Sequence, residues 1–199
     1  GCDFLSEIRE NLLKSIGILS PESELTNLEW QQISEGRVLS EEFIREFQKK
    51  VDWYHISELQ TLSFDFIREF KDTVNWFYIS KGQTLTEDFI REFQDIVDWS
   101  MISKFQILSE SFIREFKDKV YWEYVSEKQN LSDPFILEFK KEIFWDWYFL
   151  NRYSNFKIIK KFASKLTINC KAIEISRRLN DEQKKDIIRV LKLKELFIN

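Results

Sequence analysis

Residues 39–57 read LSEEFIREFQKKVDWYHIS. The phrase returns as LSFDFIREFKDTVNWFYIS at 62–80, LTEDFIREFQDIVDWSMIS at 85–103 and LSESFIREFKDKVYWEYVS at 108–126. Tryptophan keeps the interval, standing at 30, 53, 76, 99, 122 and 145, always 23 residues apart. The Leu-Ser or Leu-Thr pair keeps it too, at 39, 62, 85, 108 and 131. A degenerate first copy, LSPESELTNLEWQQIS from Leu19, is three residues short. A period in this range is the signature of a stacked-repeat architecture, and copies within one chain can be compared with each other directly.

Each copy reads as two helices. Ser40, Ser63, Thr86, Ser109 and Ser132 precede a first turn and can accept a hydrogen bond from its orphan N–H groups, with acidic residues favoured at the positive end of the dipole. Phe43, Phe47 and Val51 follow at i, i+4 and i+8, a helical stripe rather than a strand's alternation. That stripe predicts a helix of roughly three turns. Glu41 with Arg45, Glu87 with Arg91 and Glu110 with Arg114 are i,i+4 pairs on its solvent side.

A shorter second helix is expected to start after Asp52, Asn75 or Asp98. Its Trp53, Ile56, Ser57 and Gln60 share one face, and the same four places recur almost unchanged in the later copies. The Trp side is therefore expected to be core, with Ser and Gln bonding backbone at tight joints. Units this small cannot bury their own apolar faces. The expected fold is all-α: tandem helical hairpins stacked as a short α-solenoid. Residues 1–18 read as an N-terminal capping helix, 19–149 as an array of about six copies, and 150–199 as a basic C-terminal helical cap.

The composition supports a folded helical chain. Of 199 residues, 43% are hydrophobic and 32% charged, which argues against disorder. Four Gly and two Pro are too few for phosphate-cradling loops or many tight hairpins. The net charge of -4 is unevenly spread. Residues 1–145 carry 17 basic and 28 acidic side chains; residues 146–199 carry 13 basic and 6 acidic ones. The longest apolar stretch, near Ile143 to Leu150, is too short to span a bilayer. Two distant cysteines and no signal-like start lead to the expectation of a reducing, cytoplasmic setting.

The motif LSxxFIREF…W-x-x-IS…Q, over about residues 28–147, resembles short tandem repeats in uncharacterised proteins of giant DNA viruses and some phages. That resemblance implies a viral or phage origin. It carries no catalytic residues over.

No reaction chemistry stands out. His55 is the single histidine, at a place held elsewhere by Tyr78, Met101 and Tyr124, so no metal or cofactor site is expected. Ser57 and its counterparts have no base or glycine elbow beside them. Glu46, Glu69, Glu92, Glu115 and Glu138 recur without the spacing of a calcium loop and suit ion pairs between neighbouring copies. The chain reads as a binding module and not an enzyme.

If the constant letters build the scaffold, the variable ones carry recognition. The outward face of the short helices holds Tyr54, His55, Phe77, Tyr78, Lys81, Met101, Lys104, Phe105, Glu123 and Tyr124, a mixture typical of protein-recognition surfaces. The expected partner is a protein. The alternative is nucleic acid, gripped by Lys157, Lys160, Lys161, Lys165, Arg177 and Arg178 of the basic C-terminal region.

Overall fold

The structure, a computed structural model, describes residues 2–146, 148, 160–167, 173 and 179–198. These form two compact units, Gly1–Asp98 and Trp99–Asn199, each treated by itself below. Helices account for the regular structure, and no strand occurs among the described residues.

The first unit begins with α1 (Cys2–Ser15), a single 3-10 turn (Glu22–Glu24) and α2 (Asn27–Gly36). Then come α3 (Glu41–Glu46), α4 (Trp53–Leu59), α5 (Phe64–Glu69), α6 (Trp76–Gly82) and α7 (Glu87–Glu92). The second unit holds α8 (Trp99–Phe105), α9 (Glu110–Glu115), α10 (Trp122–Lys128), α11 (Asp133–Glu138), a 3-10 turn (Ala163–Lys165) and α12 (Asp181–Ile198). Two helices per copy, at the expected places, are what the 23-residue phrase encodes.

Hydroxyl caps start the first helix of each copy. Ser40, Ser63, Thr86, Ser109 and Ser132 accept from the N–H groups of Phe43, Phe66, Phe89, Phe112 and Phe135. Asp52 and Asn75 cap α4 and α6 in the same manner. At α10 the position is Tyr121, whose hydroxyl sits at the far end of its ring, and no side-chain cap forms. Asn180 and Gln183 form a reciprocal capping box at the start of α12.

The first helix of the copy is shorter than three turns. Its α-helical part is six residues long, and at Phe47 the backbone departs to φ −104°, ψ 25°. The N–H groups of Lys50 and Val51 both return to the Phe47 carbonyl, at 2.8 and 3.0 Å. This tightened turn lets Val51 stay on the stripe while the chain bends toward the next helix. Phe43, Ile44, Phe47 and Val51 are all buried, as are Phe66, Ile67, Phe70 and Val74 one copy later.

The tryptophans depart from expectation. Ile56, Ser57 and Gln60 are buried, but Trp53, Trp76, Trp99 and Trp122 are only half-buried; among the described residues only Trp30 and Trp145 are core tryptophans. The half-buried Trp53, Trp76 and Trp122 are latched at the rim; Trp145 makes the same bond, to the Lys140 carbonyl at 3.2 Å, but is covered because its ring also meets Tyr148 at 6.0 Å. The Trp53 indole N–H donates to the Gln48 carbonyl at 2.9 Å, five residues back, and Trp76 does the same to Lys71 at 2.8 Å. Each ring then lies against the next copy's phenylalanines, Trp53 to Phe70 at 4.9 Å and Trp76 to Phe93 at 4.9 Å between ring centroids. A ring whose N–H must reach an acceptor near the surface sits with one edge in water unless a further ring covers it.

Buried polar side chains join one copy to the next. Gln83 accepts from the Leu62 N–H at 3.2 Å and donates to the Gln60 carbonyl at 2.7 Å. Gln129 does likewise with Leu108 and Gln106 in the second unit. Ser57 donates to the Trp53 carbonyl and accepts from the Asn75 N–H, and Ser103 treats Trp99 and Tyr121 alike. The expectation that Ser and Gln satisfy backbone at the joints holds.

Candidate interaction face

The exposed faces divide into a charge ladder on the first helices and an aromatic face on the second. The ladder is regular. Arg45 reaches Glu69 at 2.7 Å, Arg68 reaches Glu92 at 2.8 Å and Arg114 reaches Glu138 at 3.0 Å. The i,i+4 partners stand farther off, Glu41 at 3.6 Å from Arg45 and Glu110 at 3.8 Å from Arg114. Each of these guanidinium groups also lies over the next copy's phenylalanine, as Arg68 does over Phe89 at 5.4 Å. Hydrogen bonding from Arg68 holds the Glu92 carboxyl below the usual carboxylate range. The recurrent glutamates are thus acceptors for a neighbouring copy's arginine.

Both ends of the ladder are adapted. Counting back from Glu46 by the same step leads to Glu22, not to an arginine. Arg9 of α1 fills the gap, 3.3 Å from Glu46 and 2.9 Å from Glu22, with its guanidinium over Phe47 at 4.9 Å. At the other end the arginine register is taken by Leu137, and the glutamate register one step on by Lys161. Donor and acceptor disappear together, so neither is left as a lone charge.

The C-terminal region continues the phrase further than its letters suggest. Phe162 stands 23 residues after Phe139 and stacks on Trp145 at 4.2 Å, the place held by Phe139 on Trp122 at 5.0 Å. Leu166, in the register of Val120 and Ile143, is buried like them. The signal was the interval alone, since the Leu-Ser and Trp markers are missing from this copy.

The variable residues of the first unit come together. α4 and α6 lie side by side, and the Tyr78 hydroxyl donates to the Tyr54 hydroxyl at 2.5 Å. Their rings meet edge to face with centroids 4.6 Å apart. His55 lies edge-on to Tyr54 and 3.3 Å from Asp52, Phe77 lies edge-on to Tyr78, and the Lys81 ammonium stands 5.8 Å from the Tyr78 ring centre. Tyr54 and Phe77 keep 45% and 40% of their surface exposed, enough to meet a partner.

In the second unit the Lys104 ammonium lies over Tyr124 at 4.8 Å and near Phe105 at 5.6 Å. Phe105 and Glu123 are exposed and Met101 half-buried. Part of the variation between copies therefore serves contacts between neighbouring short helices, as with Tyr54 and Tyr78.

The hydrogen bond between the two phenols raises the Tyr78 pKa from 10.0 to about 12. A raised folded pKa means that this bond stabilises fully below the ordinary phenol value and is lost as pH rises through about 12. In an alkaline spectrophotometric titration one tyrosine should ionise after the rest, and Tyr54→Phe should return it to the ordinary range. A wild-type titration with no late-ionising phenol, or a late phenol that Tyr54→Phe leaves in place, would show that the bond is not made.

The basic residues are differently placed. Lys160 is bound to Asp186 of α12 at 2.7 Å, and Lys165 donates to the Lys140 carbonyl at 3.3 Å. Lys161 lies 5.7 Å from the Phe162 ring centre. Lys157, Arg177 and Arg178 lie outside the described residues. Among the described residues no three His, Cys, Asp or Glu side chains converge as a metal site, and no helix is long and apolar enough to cross a membrane. No family model, curated protein or solved structure matches the chain.

Proposed function

We propose that the chain is a protein-interaction module, a short α-solenoid with helical ends that engages its partner through the variable face of the short helices. The observation that supports it most is the cluster of half-exposed rings on α4 and α6, Tyr54, Phe77 and Tyr78, beside His55 and Lys81. Constant letters are accounted for by contacts between neighbouring copies, such as Gln83 with Leu62 and Arg68 with Glu92. Phe77 stands 40% exposed, its ring set edge-on to Tyr78 of the same helix. Aromatic anchors of this kind dominate protein interfaces. The resemblance of the repeat points to a viral or phage factor acting on a host protein. The nucleic-acid reading is the less favoured one, since Lys160 is already paired with Asp186.

The test uses a displayed library of protein fragments, panned on the immobilised full chain. Captured fragments should lose about thirtyfold or more in affinity to the Phe77→Ala/Tyr78→Ala double variant, the loss of a central aromatic hot spot of roughly 2 kcal/mol. The melting temperature should change little, because both rings are partly in water. Unchanged affinity would remove this face as the binding surface. An unfolded variant would move the search to the flank bearing Glu42, Arg45 and Lys49.

A further inference from the structure

We propose that Tyr54 and Tyr78 are a preformed site for oxidative coupling, able to close into a dityrosine that locks α4 to α6. The inference is independent of any partner. Its basis is a coincidence of geometry. The two hydroxyls share a 2.5 Å hydrogen bond, and the rings meet at 4.6 Å with a 66° angle between planes. The ring carbons that couple are those next to the hydroxyl-bearing carbon, so bonded hydroxyls bring the reacting edges together. Proximity of this kind turns a slow encounter of two radicals into a reaction within one molecule.

Access and supply are also arranged. Tyr54 is 45% exposed, so a one-electron oxidant in solution reaches it. Loss of an electron and of the phenolic proton to water leaves a phenoxyl radical on Tyr54. Tyr78 already donates its proton toward that oxygen, so a hydrogen atom exchanges across the bond and the radical is shared by both rings. A second one-electron oxidation gives the paired radicals. They join through one carbon–carbon bond, and each ring hydrogen at the new bond moves to its oxygen as the rings regain aromaticity. Two electrons and two protons leave in total, taken up by the oxidant and by water.

The pairing is particular to this place. At the same two places of the later copies the sequence holds Phe77 with Met101 and Ser100 with Tyr124, so in neither are both residues phenols; Tyr124 and Tyr148, also 24 residues apart, stand one place further on in the phrase. Tyr121 and Tyr124 are a nearby pair, but their ring centroids stand 6.4 Å apart, against 4.6 Å for Tyr54 and Tyr78. The product would tie residues 24 apart, a loop whose closure constrains the unfolded chain as a disulfide does.

The experiment exposes the full chain to photogenerated tris(bipyridine)ruthenium(III), with persulfate as the terminal electron acceptor. The expected result is blue dityrosine fluorescence in the monomer band and a raised melting temperature. Tryptic mapping should join peptide 51–68 to peptide 72–81 with the loss of two hydrogens. Tyr54→Phe and Tyr78→Phe, with circular dichroism unchanged, should each lose that linked peptide, while Tyr121→Phe keeps it. Absence of the 51–68 to 72–81 link in the wild-type chain overturns the proposal, whether coupling fails entirely, maps to Tyr121 and Tyr124, or joins separate chains. Because the wild-type map decides the matter alone, a misfolded variant does not shelter it.

Discussion

Phe66→Ala should lower the unfolding free energy by about 3–5 kcal/mol, the largest loss expected from a single substitution in this chain. Phe66 is fully buried. Its ring packs on Phe70 at 4.7 Å and on Trp53 at 6.2 Å, and Arg45 lies over it at 5.0 Å. Truncation removes contacts with the copy before and with its own turn at once. Lys49→Ala, exposed on the same surface as the ladder, should change stability by less than about 0.5 kcal/mol. Denaturant unfolding of the two variants measures the contrast, and a Phe66→Ala loss under about 1 kcal/mol would remove the phenylalanine stripe as the core.

Gln83→Leu should cost about 2–4 kcal/mol although leucine fills nearly the same space. The buried amide satisfies two backbone groups of the preceding joint, the Leu62 N–H and the Gln60 carbonyl. Neither can turn to another partner when the side chain becomes apolar, and an unmet buried group costs more than a hydrogen bond gains. By contrast, Arg68→Ala, which breaks an exposed ion pair, should cost under about 1 kcal/mol. Equal effects of Gln83→Leu and Arg68→Ala would mean that the joints are held by surface charge instead of buried amides.

These two positions show where reading by periodicity succeeds. The phenylalanine stripe, the hydroxyl caps and the joint-bonding Ser and Gln all follow from local rules. An i, i+4, i+8 apolar series must be buried, and a hydroxyl before it has orphan N–H groups within reach. Recurrence of Gln at 60, 83, 106 and 129 already implied a partner that each of these copies offers, namely backbone. The variable face was legible as a set but not as contacts, since nothing in the letters tells that Tyr78 donates to Tyr54.

Other features needed three dimensions. The arginines had two candidate carboxylates, one four residues back and one in the next copy. Only the packing of successive helices puts Glu69 nearer to Arg45 than Glu41. Trp76 shares a helical face with buried Ile79, yet its ring, latched to the Lys71 carbonyl at the rim, stays half in water, whereas the equally latched Trp145 is covered beside Tyr148. The early end of α3 at Glu46 was hidden because a tightened turn keeps Val51 on the same stripe as a longer helix would. Arg9, distant in sequence and outside the period, supplies Glu46 only because α1 comes to lie beside the first copies. The sequence by itself determined which residues must be covered and which helix ends must be capped, since burial and capping depend on spacing along the chain. Tertiary structure alone decided which of several equally spaced partners each polar side chain meets, because that choice is made by distance across copies.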